Sequence, residues 1–336
     1  MISQLKKITH AGFNYCNPIL ETAAGKVLEI TGFRDGKCEF LCSGSEAVEY
    51  CIRAAKTIKP DDMVFTFSDS YFGAYGEAAR QDSREWYRFN RNDCTCDTGG
   101  EGCTGECSGF SKIPFGKIGI FLFEPGSSSG LVNFPSEKLI AKISEKIREN
   151  NGLIVINEVT TGAGRTGKWF GFQHYGLEPD MVAIGKGIGN GYPVSVAAIS
   201  GRASGLLEKH HFHYSQSHQN DPLGATVVAE VIDTINDEKL VERGRQLGEK
   251  LMTGLEIMRK PGSILKEIRG RGLMIALEFT RDAGPVQKEL VKRGFIVAKR
   301  SGHEVLRIDP ALTIKKKDID EFMFNLDEIV TQLKTE

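Results

Sequence analysis

One lysine of this chain follows directly after an apolar run that is typical of a β-strand. The run is Met181–Ile184, and the next three residues are Gly185, Lys186 and Gly187. In open α/β sheets, ligands bind beyond the carboxyl ends of the strands. A lysine ammonium that is partly desolvated among apolar neighbours loses its proton easily, and covalent amine chemistry requires this property. Lys186 is therefore a candidate nucleophile, although a Gly-Lys-Gly sequence alone more often marks a solvated surface charge.

A second feature could bind a phosphate group. The apolar run at Phe40 leads directly into Ser43 and Glu46, which have the Ser-x-x-Glu spacing of a capping box at a helix N-terminus. Exposed backbone N–H groups and the helix dipole favour an anion there, and Gly44 lets the backbone approach closely. A plain helix cap is the alternative interpretation.

Two glycine-rich blocks resemble the signatures of class III aminotransferases. They are Asn157-Glu-Val-Thr-Thr-Gly-Ala-Gly-Arg-Thr-Gly and Gly185-Lys-Gly-Ile-Gly-Asn-Gly-Tyr-Pro, and the resemblance continues in order from about Leu41 to the C-terminus. That family includes ornithine, acetylornithine and ω-amino-acid aminotransferases, which use pyridoxal 5'-phosphate (PLP). The resemblance implies an α/β fold of fold type I, with a mainly parallel seven-stranded sheet and a small C-terminal α/β domain. It also implies an aminotransferase in which Lys186 holds PLP as a Schiff base.

The same resemblance implies roles for further residues. Gly44 and Ser45 match the pair that holds the PLP phosphate, and Tyr71 matches an aromatic residue that stacks on the pyridine ring. Val159 suits the opposite face of that ring. Ser217 matches a threonine that reaches the phosphate across a dimer interface. We therefore expect a homodimer with a shared active site.

Two of the positions assigned to the cofactor depart from the family pattern. Asn157 stands where the family has an aspartate that keeps the pyridine nitrogen protonated, and Thr160 stands where it has a glutamine near the phenolic oxygen. Asparagine can form a hydrogen bond to the ring nitrogen but supplies no charge, so the ring would be a weaker electron sink. Racemisation tolerates a weaker sink better than full transamination does. A PLP-dependent amino-acid racemase or epimerase is thus one alternative, and a non-catalytic PLP-fold binding subunit is another.

Two residues are assigned to the substrate. Glu124 matches the family's Glu-Pro dipeptide after a strand, and Arg307 matches the arginine that binds a substrate carboxylate. In the family, an acidic residue after that dipeptide can pair with the arginine and gate it, but the matching position here is near Ser129. We therefore expect Arg307 to be unpaired and constantly available to an amino acid or a 2-oxo acid. A surface ion pair is the alternative.

Four of the eight cysteines lie in a polar, glycine-rich stretch without hydrophobic periodicity; they are Cys94, Cys96, Cys103 and Cys107. Their thiolates could close a tetrahedral structural zinc site, or an iron–sulfur cluster. Free thiols and reversible disulfides are the alternatives. The histidines around Ser217 (His210, His211, His213 and His218) flank a motif that already has a role, so we do not predict a metal there.

Bulk composition narrows the classes of function. The chain has 336 residues and a formal net charge of -1, so it presents no field suited to nucleic acid or an anionic membrane. Its longest apolar runs fall well short of the roughly 20 residues that cross a bilayer. The first ten residues contain no apolar segment typical of a signal peptide. We expect a cytoplasmic protein whose partners are small molecules.

Apolar runs and helical periodicity alternate along the chain, as in a mainly parallel sheet covered by helices. We divide it into an N-terminal segment, 1–34, shorter than the family norm, a large PLP-binding domain, 35–240, with a cysteine-rich loop, 90–110, and a small C-terminal domain, 241–336. The predicted strands of the large domain are Glu39–Cys42, Met63–Phe67, Ile118–Phe123, Leu153–Ile156, Met181–Ile184 and Val194–Ile199. One long helical stretch is expected from about Pro222 to Arg259.

Overall fold

The computed structural model describes residues 1–12, 15–94, 107–127 and 129–333. The first half of the chain contains α1 (Ile2–Leu5), α2 (Pro18–Thr31), β1 (Lys37–Leu41), α3 (Gly44–Ile58), β2 (Met63–Phe67), β3 (Trp86–Phe89), α4 (Ser108–Ser111), β4 (Ile118–Phe123), α5 (Glu137–Glu149) and β5 (Leu153–Asn157). The second half contains β6 (Met181–Ile184), β7 (Ser195–Ile199), α6 (Gly201–Leu207), α7 (Pro222–Asp237), α8 (Leu240–Met258), β8 (Leu265–Arg271), β9 (Met274–Phe279), α9 (Gly284–Lys292), β10 (Ala298–Lys299), β11 (Val305–Ile308) and α10 (Lys316–Leu333).

Seven strands form one sheet in the order β1-β7-β6-β5-β4-β2-β3. Within this sheet, β2, β3, β4, β5 and β6 pair in parallel, and β7 runs antiparallel to both of its neighbours. Every residue of β4, β5, β6 and β7 is buried. Parallel strands covered on both faces carry continuous apolar sequences, which explains why these runs show no alternation.

Helices cover both faces of this sheet. One face packs against α3, whose buried residues include Val48 and Ile52. The other packs against α2, α5 and α7, and there β2 and β4 contribute a cluster of phenylalanine rings that includes Phe65, Phe67 and Phe121. Two apolar layers therefore hold the central strands in place. The polar side chains at the strand ends are fixed in position as a result.

A second sheet follows in the last third of the chain. Its antiparallel order is β10-β11-β9-β8. The helices α8, α9 and α10 pack with this sheet through a separate cluster of apolar side chains, among them Leu251, Leu277, Leu290 and Leu326. The prediction of a mainly parallel seven-stranded α/β fold with a further α/β unit is confirmed, whereas the residue limits of the domains remain predictions.

Some predicted elements differ from the structure. The single helix expected over Pro222 to Arg259 is wrong, because α7 and α8 are separated at Lys239, whose φ is 51°. The helical spacing of apolar residues continues through this break, so periodicity alone could not reveal it. The strands β3 and β8 were not predicted; both contain charged residues that interrupt the apolar pattern. No helix in the described ranges is long and apolar enough to cross a membrane.

Candidate active site

Lys186 stands at the carboxyl end of β6 in an unusual backbone conformation. Its φ is 45°, in the left-handed region that residues other than glycine seldom adopt. Such strain costs on the order of 1–3 kcal/mol and persists where the surrounding structure imposes it, often at functional sites. The side-chain Nζ donates a hydrogen bond of 2.7 Å to Oγ1 of Thr160. The turn therefore directs the amine toward the segment that follows β5.

The surroundings of Lys186 favour the neutral amine. Its pKa is lowered mainly because protein atoms around the ammonium remove water from it, although much of the side chain faces an open cavity. The positive charge of Arg307 lowers this pKa further, whereas the carboxylates of Glu124 and Asp309 raise it. Burial is the largest of these effects, so Lys186 loses its proton more readily than a surface lysine does.

A cavity of about 720 Å³ opens beside this amine. Lys186, Thr160, Arg165, Arg307 and Asp309 contribute its polar lining. Its opposite wall is apolar and comes mostly from α7, the start of α8 and the segment after β11, with Val227, Val231, Ile235, Leu240 and Leu312. A cavity of this volume, with a few convergent polar groups and an apolar wall, is typical of a small-molecule site.

Arg307 is paired, so the expectation of an unpaired arginine is wrong. Its Nε lies 2.5 Å from Oδ2 of Asp309, and its Nη2 donates to Oδ1 of the same carboxylate at 3.2 Å. The buried Nε–H does not point at that oxygen and makes no hydrogen bond. Residues i and i+2 of an extended chain lie on one face, so the Arg-Ile-Asp spacing contained a signal that would have identified this partner. Ser129, near the position of the family's acidic residue, donates to Oγ of Ser127 at 3.4 Å.

The start of α3 has the geometry of an anion site. The predicted capping box is confirmed: Ser43 accepts from the Glu46 N–H at 3.2 Å, and Glu46 accepts from the Ser43 N–H at 2.8 Å. The N–H groups of Gly44 and Ser45, in the first helical turn, have no acceptor within the helix. A Cβ at Gly44 would lie 2.5 Å from Cγ1 of Val159, so only glycine permits this close approach.

Asn157 ends β5 with both sides of its amide engaged. Nδ2 donates to the Tyr71 carbonyl at 2.9 Å, and Oδ1 accepts from the Val159 N–H at 3.1 Å. Since a carbonyl can only accept and an N–H can only donate, these contacts fix which way the amide faces. The Tyr71 N–H in turn donates to Oε2 of Glu124 at 3.2 Å. Glu124, Tyr71, Asn157 and Val159 thus form one hydrogen-bonded row across the strand ends.

Other predicted residues lie elsewhere. Ser217 is exposed on the loop before α7 and does not line the described part of the Lys186 cavity.

Cys96 and Cys103 lie outside the described residues. The Sγ atoms of Cys94 and Cys107 lie 3.5 Å apart, and Cys107 Sγ also accepts from the Phe110 N–H at 3.4 Å. A structural zinc ion at the four thiols remains a prediction.

Glu158 was not singled out in the sequence, yet it organises the loop after β5. Its carboxyl group is fully buried and accepts from Thr161 Oγ1 at 2.6 Å, from the Gly171 N–H at 2.9 Å and from the Phe172 N–H at 2.7 Å. Burial raises its pKa to about 7, although these three donors act in the opposite direction. The contacts fix the backbone on which Val159 and Thr160 are placed.

Solved structures share this fold. An S-selective transaminase from Bacillus megaterium superposes with a TM-score of 0.89 at 22% identity, over 99% of this chain and 84% of that one. At this level of identity the match defines the architecture, that of the fold type I transaminases. The strand-end lysine and the fold together place the chain in this structural class.

The sequence comparisons define the family. Residues 102–330 match the family model Aminotransferase class-III. Leucine/methionine racemase from Thermococcus litoralis is 28% identical over 98% of this chain and 81% of its own length. Acetylornithine aminotransferase from Caldanaerobacter subterraneus subsp. tengcongensis is 27% identical over 89% of this chain and 77% of its own length. The chain belongs to the class III aminotransferases, which are PLP-dependent enzymes, and the prediction of an aminotransferase is confirmed.

The buried carboxyl of Glu158 predicts a pH dependence of stability. Because its pKa in the folded chain is raised to about 7, the folded state holds this proton more tightly than the unfolded state does. The contribution is fully present below the unfolded pKa and is lost as the pH rises through about 7. Relative to Glu158→Gln, the wild type should therefore lose at most about 3 kcal/mol of unfolding free energy between pH 4.5 and pH 8.

Urea unfolding of both proteins across this pH range measures the difference. Glu137→Gln, which removes an exposed carboxylate from the start of α5, is the matched control. Parallel stability curves for wild type and Glu158→Gln would contradict the assignment.

Proposed function

We propose that this enzyme transfers the amino group of an amino acid to a 2-oxo acid in the Lys186 cavity, with Arg307 binding the carboxylate of each substrate. The observation that carries the proposal is the shared cavity, which joins a partly desolvated lysine to an arginine. A carboxylate is the planar, bidentate ligand that a guanidinium fork prefers.

The residues present fit PLP. The first-turn N–H groups of Gly44 and Ser45 suit its phosphate, and we assign the apolar side chain of Val159, which packs closely on Gly44, to one face of the ring. We assign Asn157 to the ring nitrogen and Thr160, whose Oγ1 accepts from Lys186 Nζ, to the phenolic oxygen. We assign Tyr71, which is 53% exposed, to the other face of the ring. When bound, PLP supplies an electron sink for the bond that breaks at the substrate Cα.

The chain's own groups account for the proton transfers. A lowered pKa leaves Lys186 Nζ able to accept the Cα proton and to return it at another carbon. Thr160 Oγ1, at 2.7 Å, orients that amine while it holds the proton. The Arg307 fork places the Cα–H bond of the substrate next to Nζ. The apolar wall on α7 excludes water from the same space and receives the substrate side chain.

Asp309 determines the net charge at Arg307 before a substrate binds. With no carboxylate bound, Asp309 neutralises the guanidinium through the contact at 2.5 Å. A substrate carboxylate must displace or share this partner, so Asp309 weakens carboxylate binding. The same residue lets the cavity accept an amine without a carboxylate, because the arginine is then not left unpaired.

We further propose a homodimer in which Ser217 of one protomer contacts the phosphate bound by the other. The support is that Ser217 is exposed and lies outside the cavity of its own chain, as a residue that serves a partner would. Sedimentation velocity checks the dimer, and a monomer that retains full activity would contradict it.

Racemisation is the second candidate function, and two findings favour it. Asn157 is held by two backbone contacts and brings no negative charge to the ring nitrogen. Leucine/methionine racemase is also among the relatives of this chain. Measuring deuterium exchange at Cα together with formation of the oxo acid separates the two reactions. Loss of chirality without oxo acid would favour the racemase.

Cys94, Cys96, Cys103 and Cys107 are proposed to hold one structural zinc ion. The support is the number of thiols and the proximity of two of them, with Sγ atoms 3.5 Å apart. Elemental analysis of protein purified without added metal tests the proposal, together with the same analysis of Cys94→Ser. Less than about a tenth of an equivalent of zinc per chain would exclude it.

Removing Lys186 tests the central assignment. In Lys186→Ala, borohydride should no longer fix PLP to the protein, and amino transfer should fall by about a thousandfold or more, because the base is lost. Mass spectrometry of the reduced protein locates the modified residue. Lys168→Ala, which removes an exposed lysine, is the control and should behave as wild type. Fixation of PLP to Lys186→Ala would refute the proposal.

Asn157→Asp tests the ring nitrogen. A negative charge there stabilises the carbanion, so the transamination half-reaction should become faster by about tenfold. An aspartate oxygen would, however, face the Tyr71 carbonyl that Asn157 Nδ2 now contacts at 2.9 Å, so the variant should also unfold more easily, by about 1–3 kcal/mol. Stopped-flow absorbance and thermal unfolding measure the two effects. An unchanged or slower half-reaction would show that the neutral partner does not limit the rate.

Asp309→Asn tests the competing carboxylate. The amide keeps the shape but not the charge, so KM for amino acids and 2-oxo acids should fall by about tenfold while kcat changes little. Because Asp309 raises the pKa of Lys186, its loss should also move the acid limb of the rate profile to lower pH. Arg307→Lys, which loses the fork, should raise KM instead. An equal or higher KM in Asp309→Asn would contradict this role.

A further inference from the structure

Three side chains that take no part in the proposed reaction meet at the start of α7. Nδ1 of His10 lies 2.6 Å from Oδ1 of Asp221, and Nδ1 of His218 lies 2.6 Å from Oδ2 of the same carboxylate. The centroids of the two imidazole rings are 5.1 Å apart, and the rings are inclined at 59°. One donor atom from each residue fits within a span of 4.8 Å. Two imidazole nitrogens therefore converge on one carboxylate.

Asp221 does not serve its helix in the usual way. It is the N-cap residue of α7, a position where an aspartate normally accepts a hydrogen bond from the first turn. Its side chain makes no such bond, and both of its oxygens face the imidazoles instead. The Asp221 side chain is only 17% exposed. The carboxylate is thus positioned for the two histidines at the expense of the cap.

The loop that carries His218 and Asp221 is anchored before any ligand binds. The backbone N–H of Asn220 donates to the Phe40 carbonyl at 2.8 Å, and Asn220 Oδ1 accepts from the Phe40 N–H at 2.9 Å. The side-chain amides of Gln219 and Asn220 donate to the two oxygens of Glu39 at 2.9 and 2.8 Å. Two of the three groups are therefore held in place by β1, and the third, His10, is 48% exposed and can adjust.

We propose that His10, His218 and Asp221 bind a divalent transition-metal ion of the zinc or nickel type. Two imidazole nitrogens and a carboxylate oxygen are ligands that such ions prefer, whereas magnesium and calcium prefer oxygen alone. Ligand atoms on a tetrahedral zinc ion lie about 3.3 Å apart. Each nitrogen–oxygen distance of 2.6 Å must therefore open by less than about 1 Å, and the widest donor separation, within 4.8 Å, must close by about 1.5 Å or less. The Nδ1 proton of each neutral imidazole moves to Nε2 through solvent, and the ion takes its place between nitrogen and carboxylate.

Metal binding here has a structural consequence for the active site. The ion joins the N-terminal segment, which carries His10, to the loop that also carries Ser217. Met1 of the same segment lines the Lys186 cavity. The ion therefore fixes the position of a segment that contributes to the cavity wall. His218 was not expected to bind metal, because the histidines near it in sequence flank a motif that already has a role. The histidine that shares its carboxylate, His10, lies far away along the chain.

Metal binding to the holoenzyme tests the site. Protein stripped with a chelator is dialysed against Ni²⁺ and, separately, Zn²⁺, and bound metal is measured for wild type and three variants, His10→Ala, His218→Ala and Asp221→Asn. Each variant should bind about tenfold more weakly or worse, because one of three ligands is lost. His213→Ala, which removes an exposed histidine outside the cluster, is the matched control and should bind as wild type.

Co²⁺ substitution separates this site from the cysteines. Wild type should show weak visible bands that disappear in the His10→Ala/His218→Ala double variant. Weak bands of unchanged intensity in the double variant would overturn the proposal; any intense thiolate bands come from the cysteines, which both proteins retain. Equal nickel and zinc binding by wild type and the double variant would also overturn it. The holoenzyme retains its cofactor throughout, so failure here leaves the proposed amino transfer untouched.

Discussion

Parallel alignment of the buried strands β4, β5 and β6 is the constraint on which the site depends. Their carboxyl ends meet at one edge of the sheet, where Glu124, Asn157 and Lys186 follow the last apolar residues. The strands cannot shift without moving apolar side chains out of two packed layers. The polar groups therefore hold their mutual distances without needing many contacts among themselves. Packing already determines where these groups lie, and the hydrogen bonds from Glu124 through Tyr71 to Asn157 fix their orientation.

The cavity contains positive and negative side chains that largely offset each other. Arg307 and Asp309 nearly cancel, and Lys186 loses its proton more readily because burial outweighs the nearby carboxylates. Asn157 contributes no charge at all. In the proposed reaction, a substrate carboxylate exchanges with Asp309 at Arg307, beside an amine whose pKa is lowered. In the proposed reaction, the neutral residue at the end of β5 makes the ring a weaker electron sink than a carboxylate would.

The two sheets are brought together by backbone contacts that only particular residues permit. Arg165, at the cavity lining, donates through Nη1 to the carbonyls of Leu273 and Pro310, at 3.2 and 2.5 Å. Gly272 has a φ of 54°, and a Cβ there would lie 2.4 Å from the carbonyl carbon of Thr166. The loop after β5 therefore reaches the second sheet, and Arg307 on β11 reaches the cavity of the first. Both halves of the proposed site depend on this contact.

Much of the architecture was determined by the sequence itself. The apolar runs at Met63–Phe67, Ile118–Phe123 and Met181–Ile184 match β2, β4 and β6, because fully buried strands need continuous apolar residues. The position of Lys186 and the capping box at Ser43 also follow from local spacing. Local patterns could not reveal the break at Lys239, since amphipathic periodicity continues across it.

Tertiary structure alone decided which distant groups share a space. The convergence of His10 on Asp221, the burial that raises the pKa of Glu158, and the cavity that joins Lys186 to Arg307 all require knowledge of how the chain returns on itself. The pair of Arg307 with Asp309 lies between these cases. Its two residues are two positions apart and face the same way, so the pattern was present in the sequence. Only the folded structure showed that the Asp309 carboxylate lies against the Arg307 guanidinium.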